Sequence, residues 1–192
     1  ARIIKMLDVK DDHLVVESKG IYSIENFLTA RRLMYWQVYL HKTSVACEKM
    51  INNTLLRAKE LAHQGVELFV TPALRYFLYG DITREMFFND EQCLETFTQL
   101  DDNDIWCALK TWANHEDKVL ATLSSGLVNR RLFKVEIDSK PFSDEYKDGI
   151  VTRIADSLHI DKDECSYLLC AAIHEKDMYT AADDQIEILY ND

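Results

Sequence analysis

The chain has 192 residues, of which 47% are hydrophobic, and its formal net charge at pH 7 is −11. This composition suits one packed domain of ordinary size, with or without a small appendage. With only 5 Gly and 2 Pro, long flexible linkers and low-complexity segments are excluded. No apolar run is long enough to span a bilayer, and residues 1–20 lack the apolar stretch of a signal peptide. We therefore expect no membrane partner.

The negative charge is concentrated in the last third of the chain. Residues 1–135 hold 17 Lys and Arg against 18 Asp and Glu, whereas residues 136–192 hold 5 against 15. The acidic part would repel nucleic acid, because DNA and RNA backbones attract Lys and Arg. The near-neutral part can still bind a small anion, so we expect two parts with different roles.

The five cysteines are scattered and include no C-x-x-C pair; they are Cys47, Cys93, Cys107, Cys165 and Cys170. This pattern is typical of reduced thiols and predicts a cytoplasmic protein without a disulfide framework or a zinc site. The chain begins with Ala and has no initiator Met, so we expect a fragment or a processed chain.

The first elements are a short strand and a long helical region. Residues 13–18 (HLVVES) alternate and are β-branched, which predicts a strand. Apolar residues then recur at three- and four-residue steps from 21 to 63, which predicts one long helix or two helices with a bend near Thr43. Ser23 is the predicted N-cap, and Gly65 the predicted stop.

Shorter helices are predicted next, over residues 72–80, 83–99, 103–113 and 117–129. Pro72 suits the first turn of the first of these. Asp101, Asp102 and Asp104 favour the start of the third, by capping and by interaction with the helix dipole.

The pattern changes after Arg131. Residues 132–137, 166–173 and 185–190 are predicted strands, and residues 143–159 an amphipathic helix. The predicted fold is mainly α: a helical part over residues 1–131, followed by a small acidic α+β region over residues 132–192.

Standard catalytic signatures are absent. There is no G-x-S-x-G, no G-x-x-x-x-G-K-[ST] and no G-x-G-x-x-G in the sequence. The pairs His115-Glu116 and His174-Glu175 are not followed by a second His at a zinc-binding spacing. We therefore assign no catalytic residue and no metal ligand.

The stretch LTARRLMYWQVYLHK (28–42) carries the best candidate site. On a helix, Arg31, Tyr35, Tyr39 and Lys42 share one face. A guanidinium binds phosphate oxygens with its planar fork, and a tyrosine ring packs on a sugar or base. The face could hold a nucleoside phosphate. The alternative is an ordinary helix whose rings are core and whose cations cover its rim.

Two ordered segments resemble one enzyme family. VVESKGIYSIENFLTARRLMYWQVYLHK resembles the segment that follows the catalytic part of HD-domain phosphohydrolases, in particular the deoxynucleoside triphosphate triphosphohydrolases. LDDNDIWCALKTW (100–112) followed by VNRRLFK (128–134) is similar to a later helix of that family and to the entry into its C-terminal region. The resemblance covers roughly residues 1–137 and implies a helical bundle of the HD-phosphohydrolase type.

The resemblance also implies roles for individual residues. Arg31 matches an arginine that contacts the substrate triphosphate, and Tyr39 a tyrosine that packs against the deoxyribose. Tyr35 stands where the mammalian member of the triphosphohydrolase family has His, so it is kept only because it shares a face with Arg31 and Tyr39. Lys19 and the pair His41-Lys42 fall where regulated members contact activating nucleotides between subunits. A homo-oligomer is therefore expected.

One departure from the family limits what this chain can do. The sequence has no His-Asp dipeptide, although such a pair belongs to the family's metal site. The resemblance therefore implies a C-terminal portion that binds no metal itself. The complete protein would use Mg²⁺, Mn²⁺ or a similar ion to hydrolyse deoxynucleoside triphosphates to deoxynucleoside and triphosphate.

Two other functions stay open. The chain could be a non-catalytic regulatory or oligomerisation module that binds nucleotide or a protein partner. It could also bind RNA or single-stranded DNA through the Tyr, Trp and Arg surface, although no wider basic groove accompanies those residues.

Overall fold

The structure is a computed structural model that describes residues 2–171 and 186–190. It is mainly helical, with eight α-helices and one three-stranded sheet in the described residues, which confirms the predicted fold class. The chain forms two compact units, one of residues 1–44 with 172–192 and the other of residues 45–171. The predicted boundary after residue 131 stays a prediction.

A small sheet opens the first unit. Strands β1 (Leu7–Lys10) and β2 (His13–Glu17) form an antiparallel hairpin, and β3 (Glu187–Leu189) pairs in parallel with β2. Val15 and Val16 of β2 are each 5% exposed, so this part of the strand is buried. The strand predicted at residues 13–18 is confirmed.

The turn between β1 and β2 uses an uncommon backbone. Asp11 and Asp12 both have positive φ, 51° and 66°. Two left-handed residues in a row suit the right-handed twist of a tight hairpin, and aspartate, like asparagine and glycine, tolerates this backbone better than other residues do.

Helix α1 (Ile21–Met34) begins two residues before the predicted cap, so the assignment of Ser23 as N-cap is wrong. The chain enters α1 from a 3₁₀ turn at Ser18–Gly20, with no side-chain cap. A Cβ on Gly20 would lie 2.7 Å from the Cβ of Met6. At this helix start, Met6 packs closely on Gly20, and no side-chain hydroxyl caps the helix.

The long helical region is interrupted, as the prediction of a bend near Thr43 required. After α1 come a π-helical segment (Tyr35–Tyr39), a turn, and then α2 (Lys42–His63). Gly65 has φ 85°, and the Val66 N–H donates to the Leu61 carbonyl at 2.9 Å. Gly65 therefore terminates α2 as predicted.

The second unit packs helices around an apolar core. Its further helices are α3 (Pro72–Tyr79), α4 (Met86–Asn89), α5 (Glu91–Thr98), α6 (Asp102–Trp112), α7 (Lys118–Val128) and α8 (Asp144–Leu158). The Trp112 side chain is 1% exposed, and its indole N–H donates to the Phe69 carbonyl at 3.0 Å. The indole nitrogen, the only polar atom of this largest core side chain, therefore has a hydrogen-bond partner.

The predicted starts of two helices are confirmed and one predicted helix is divided. Pro72 opens α3, and Asp101 and Asp104 form a reciprocal capping box at α6. The single helix predicted over residues 83–99 is wrong, because Asp90 is extended and its carboxylate accepts from the Gln92 N–H at 3.0 Å. That cap ends α4 and starts α5.

Two of the three strands predicted after Arg131 are also wrong in the described residues. Residues 132–137 form no strand; Phe133 instead packs on the core and its N–H donates to Met50 Sδ at 3.3 Å. Residues 163–167 form a 3₁₀ helix where the second strand would begin, and residues 168–171 are irregular. Residues 172 and 173 of that predicted strand lie outside the described residues.

The last predicted strand is present but in another place. Residues 187–189 form β3, yet their partner is β2, so they add to the first sheet and not to a separate α+β region. Residue 185 lies outside the described residues. Helix α8 matches the helix predicted over residues 143–159.

Candidate functional site

Three of the predicted binding residues lie in one column on α1 and the π-helical segment. The Arg31 guanidinium carbon is 5.5 Å from the centre of the Tyr35 ring. The Tyr35 and Tyr39 rings follow at 5.2 Å between centroids, tilted by 52°. For Arg31, Tyr35 and Tyr39 the shared face predicted from the spacing is therefore formed, with a cation at one end and two aromatic rings beyond it.

A π-helical turn shapes this column. The Leu40 N–H donates to the Tyr35 carbonyl at 2.7 Å, five residues back, instead of four as in an α-helix. Such turns are rare and occur mostly as single insertions, often at functional sites. No sequence signal indicated the π-helical turn, because it replaces one backbone hydrogen-bond pattern by another without changing the residue types.

The column faces outward. Arg31 is exposed and the Tyr39 side chain is 56% exposed. An exposed guanidinium offers donors in a planar fork, and an exposed phenol offers a ring face and a hydroxyl. The three side chains can therefore hold a ligand that is flat at one end and anionic at the other.

The predicted effector residues lie at the two ends of α1. Lys19 sits in the turn before the helix, where its ammonium group forms an ion pair with Glu17. His41 and Lys42 follow the π-helical segment, and the His41 Nδ1 accepts from the Thr43 N–H at 3.2 Å. Because α1 alone has 14 residues, about 21 Å of helix, these two groups cannot bind the same small phosphate.

The described residues supply no metal site. Among them, no group of three or more His, Cys, Asp or Glu side chains could hold an ion. His115, in one of the two His-Glu pairs, uses its Nδ1 to accept the Asp117 N–H at 3.0 Å. A hydrolytic metal does not fit the residues that the structure describes.

A cluster of charges in the second unit was missed by the sequence. Arg57 is 7% exposed and donates to Asp117 at 2.6 Å, to Glu164 at 2.6 Å and to Glu60 at 2.8 Å. The Tyr167 hydroxyl donates to Glu60 at 2.7 Å, and its ring lies 5.6 Å from the Arg57 guanidinium carbon. Only the i,i+3 spacing of Arg57 and Glu60 could have pointed to this cluster.

The pKa values of Arg57, Asp117 and Glu60 are each shifted in the direction that keeps the group charged. The hydrogen bond to Asp117 raises the pKa of Arg57 although burial opposes it. For Asp117, burial is the largest influence and acts to raise the pKa, but the Arg57 hydrogen bond, the Leu120 N–H and the nearby positive charge together lower it. The hydrogen bond from Tyr167, followed by that from Arg57, lowers the pKa of Glu60. The mutual pairing of these groups indicates a structural role.

No helix in the described part of the chain is both long and apolar enough to cross a membrane.

Comparisons with known proteins cover residues 1–69 in one case and most of the chain in two others. Residues 1–69, which contain the Arg31–Tyr35–Tyr39 column, match a family model described as the HD associated region. A crystal structure of a phosphohydrolase from Bacteroides thetaiotaomicron superimposes with a TM-score of 0.91 and 62% identity, over 98% of this chain and 47% of that one. The uncharacterized protein YwfO of Bacillus subtilis is 29% identical over 134 residues, which is 69% of this chain and 29% of YwfO.

This chain therefore spans about half the length of the phosphohydrolase that it matches and less than a third of YwfO. The family-model match shows an HD associated region in residues 1–69, and the phosphohydrolase structure shows the same fold over 98% of this chain.

Proposed function

We propose that this chain belongs to an HD-superfamily phosphohydrolase which, when complete, hydrolyses deoxynucleoside triphosphates to deoxynucleoside and triphosphate. In this proposal the chain contributes part of the wall that binds the substrate's phosphates and sugar. The metal ligands and the attacking water belong to a part of the protein that the described residues do not supply.

The observation that carries the proposal is the column of Arg31, Tyr35 and Tyr39. It combines one exposed guanidinium with two neighbouring rings on a segment whose π-helical turn is typical of functional sites. A nucleotide has the matching parts, a polyphosphate at one end and a sugar and a base beyond it. The column lies within residues 1–69, and the match of these residues to the HD associated region supports the proposal of a phosphohydrolase.

Each residue has a stated task in this proposal. Arg31 binds the triphosphate through charge-assisted hydrogen bonds. The Tyr39 ring packs against the deoxyribose, in a position where a 2′-hydroxyl would clash. Tyr35 lies between them and holds the Arg31 guanidinium by a cation–π contact at 5.5 Å. A divalent ion such as Mg²⁺ or Mn²⁺, bound by the complete protein, would supply the activated water.

Lys19, His41 and Lys42 are proposed contacts for an activating nucleotide between subunits. All three are exposed. Because Lys19 and the pair His41-Lys42 lie at opposite ends of α1, we propose that they serve different nucleotides or different subunits.

The second candidate is a regulatory or assembly module without catalysis of its own. The observation that favours it is the lack of any buried residue in α1, although this helix is rich in apolar side chains. Such a helix suits a surface that other protein covers.

The deciding experiment measures triphosphate release by the full-length protein from each deoxynucleoside triphosphate, singly and in pairs, with Mg²⁺ or Mn²⁺. Release supports the hydrolase. A requirement for a second nucleotide supports effector roles for Lys19, His41 and Lys42. No release under any combination, by protein that is folded and free of chelator, contradicts the substrate assignment and favours the assembly module.

A further inference from the structure

Three phenylalanine rings of the second unit pack on one another outside its core. The Phe77 and Phe87 rings are stacked at 6.2 Å between centroids, and the Phe97 ring meets them edge-on at 6.0 and 5.4 Å. None of the three belongs to the hydrophobic core cluster that contains Trp112. They come from α3, α4 and α5, so they form a separate apolar cluster at the surface.

The cluster is continued by exposed apolar side chains. Phe88 follows Phe87 in α4 and is 78% exposed, and Leu94 lies one helical turn before Phe97 in α5 and is 49% exposed. The Phe97 ring itself is 52% exposed. We call this group the phenyl patch: Phe77, Phe87, Phe88, Leu94 and Phe97. Exposed apolar surface gathered in one patch marks an interaction site, whereas single exposed apolar residues need no partner.

Acidic residues accompany the phenyl patch. Residues 81–95 hold five acids and one base. Glu85, Glu91 and Glu95 are exposed, and within the described part of the chain none of them forms a salt bridge. Glu91 lies three residues before Leu94 on α5, so it borders the face that carries the patch. The phenyl patch is therefore an apolar surface in a negative field.

This charge decides the class of partner. A negative field repels anionic lipids and the phosphates of nucleic acid, whereas it attracts Lys and Arg. The exposed rings need apolar side chains opposite them, because only those replace water on both surfaces. A protein segment with apolar residues flanked by Lys and Arg supplies both.

The backbone of the patch decides the shape of that segment. Its residues belong to α3, α4 and α5, so the patch offers no open strand edge. An extended segment would turn unpaired N–H and C=O groups toward apolar rings, whereas a helix bonds these groups internally. A helix that lies on an apolar surface presents its anchors at positions i, i+3, i+4 and i+7.

We propose that the phenyl patch binds an amphipathic helix of another protein, whose apolar residues pack on the rings and whose Lys and Arg residues pair with Glu85, Glu91 and Glu95. Phenyl rings bring a large apolar area, and complementary charges at the rim select the partner and speed its association. The patch belongs to residues 45–171 and the Arg31–Tyr35–Tyr39 column to the other unit. The proposal therefore does not depend on the hydrolysis proposed above.

A designed peptide tests the apolar contact. The probe is a fluorescein-labelled helix of about five turns with Leu at i, i+3, i+4 and i+7 and Lys elsewhere. Fluorescence anisotropy with the full-length protein measures its Kd, which F88S/L94S should weaken by about tenfold or more. Leu56→Ser is the matched control, because Leu56 is 58% exposed on α2, and it should bind like the wild type. A wild type that does not bind the probe, or equal losses in both variants, would overturn the proposal.

Charge reversal tests the acidic rim. E91K/E95K should weaken binding of the same peptide by about tenfold or more at low ionic strength, and added salt should reduce the difference. D148K/D156K is the control, because it changes the net charge equally through two exposed acids of α8. Equal losses in the two double variants would show that net charge alone attracts the peptide, which would overturn the proposal.

Two further measurements exclude other occupants of the patch. Sedimentation with vesicles of phosphatidylcholine and phosphatidylglycerol should leave the wild-type protein in the supernatant. Light scattering should give F88S/L94S the same molar mass as the wild type. Vesicle binding that F88S/L94S abolishes would make the patch a lipid contact, and a lower mass for this variant would make it a contact between copies of the chain. Either result would overturn the proposal.

Discussion

Arg57 and Asp117 form a forked ion pair within residues 45–171. The Arg57 Nη2 donates to Asp117 Oδ2 at 2.6 Å and Nε donates to Oδ1 at 3.3 Å. Both groups are largely removed from water, since their side chains are 8% and 13% exposed. Because Glu60 and Glu164 accept from the same guanidinium, one cation joins α2, α7 and the 3₁₀ helix at residues 163–167.

Replacing Arg57 by Met should lower the free energy of unfolding by about 3–5 kcal/mol, because it leaves the largely buried Asp117 carboxylate without its cation. The measurement is urea denaturation followed by circular dichroism at pH 7. Arg57→Lys should recover only part of the loss, because an ammonium group cannot make the fork.

The control for this variant is Arg75→Met. Arg75 makes a similar fork to Glu67, at 2.6 and 3.3 Å, but both side chains are well exposed. Exposed pairs contribute little, so the denaturation midpoint should barely move. Equal effects from the two replacements would show that burial does not set the strength of the Arg57 pair.

Stability should fall in acid because of the same cluster. The pKa of Glu60 is lowered, first by the hydrogen bond from Tyr167, and that of Asp117 is lowered as well. A carboxyl group whose folded-state pKa is depressed adds stability above its unfolded-state pKa and loses it as the pH falls through the folded-state pKa. The free energy of unfolding should therefore be steady from pH 7 to about 5 and decline below that.

Tyr167→Phe tests whether Glu60 accounts for part of this loss of stability in acid. The variant should be less stable than the wild type at pH 7, and the difference should shrink as the pH falls through the lowered folded-state pKa of Glu60. Denaturation at a series of pH values measures it. Tyr22→Phe is the control, since the Tyr22 hydroxyl has no hydrogen bond within the described residues. A Tyr167→Phe difference that stays constant with pH would remove Glu60 from the explanation.

The β1–β2 turn should tolerate few side chains at its second residue. Asp12 has φ 66°, where a β-branched residue is strained by about 1–2 kcal/mol. Asp12→Val should therefore speed hydrogen exchange of the β1 and β2 amides, while Asp12→Gly should not. Asp8→Val, in the extended backbone of β1, is the matched substitution and should leave exchange nearly unchanged. Equal exchange in the two valine variants would contradict a strained turn.

Under the proposed function, Arg31→Ala in the full-length protein should lower kcat/KM for deoxynucleoside triphosphate hydrolysis by the equivalent of about 1.5–3 kcal/mol, the value of a charge-assisted contact. Arg31→Lys should recover part of it. Arg84→Ala, which removes an exposed charge from a turn in the other unit, should have no effect. Unchanged kinetics in Arg31→Ala would remove Arg31 from the substrate site.

Helix ends were predictable where a single residue type determines them locally. Gly65 ends α2, Pro72 opens α3 and Asp101 caps α6, each by its own backbone or side-chain chemistry. The start of α1 was not predictable in this way, because it depends on how closely Met6 packs on Gly20.

Strands were less predictable because a strand needs a partner. The sequence pattern placed β3 correctly, but nothing local reveals that Glu187 pairs with Val15 near the other end of the chain. Residues 132–137 alternate like a strand and have no adjacent strand to pair with in the described residues.

The side-chain clusters also include one that the sequence predicted and one that it did not. Helical spacing predicted that Arg31, Tyr35 and Tyr39 share a face, and the ring and guanidinium distances agree. The Arg57 cluster could not be found, because Asp117 and Glu164 are 60 and 107 residues away from Arg57 along the chain.

The separation of 107 residues between Arg57 and Glu164 has a consequence for the order of folding. Closing a loop of that size costs entropy before the contact can form, whereas the α6–α7 pair can form from neighbouring sequence. We expect the ion pair to be absent from the folding transition state. Removing Arg57 should then leave the refolding rate nearly unchanged and act mainly by speeding unfolding. The 3₁₀ helix at residues 163–167 would be the last part of this unit to become protected when the protein folds.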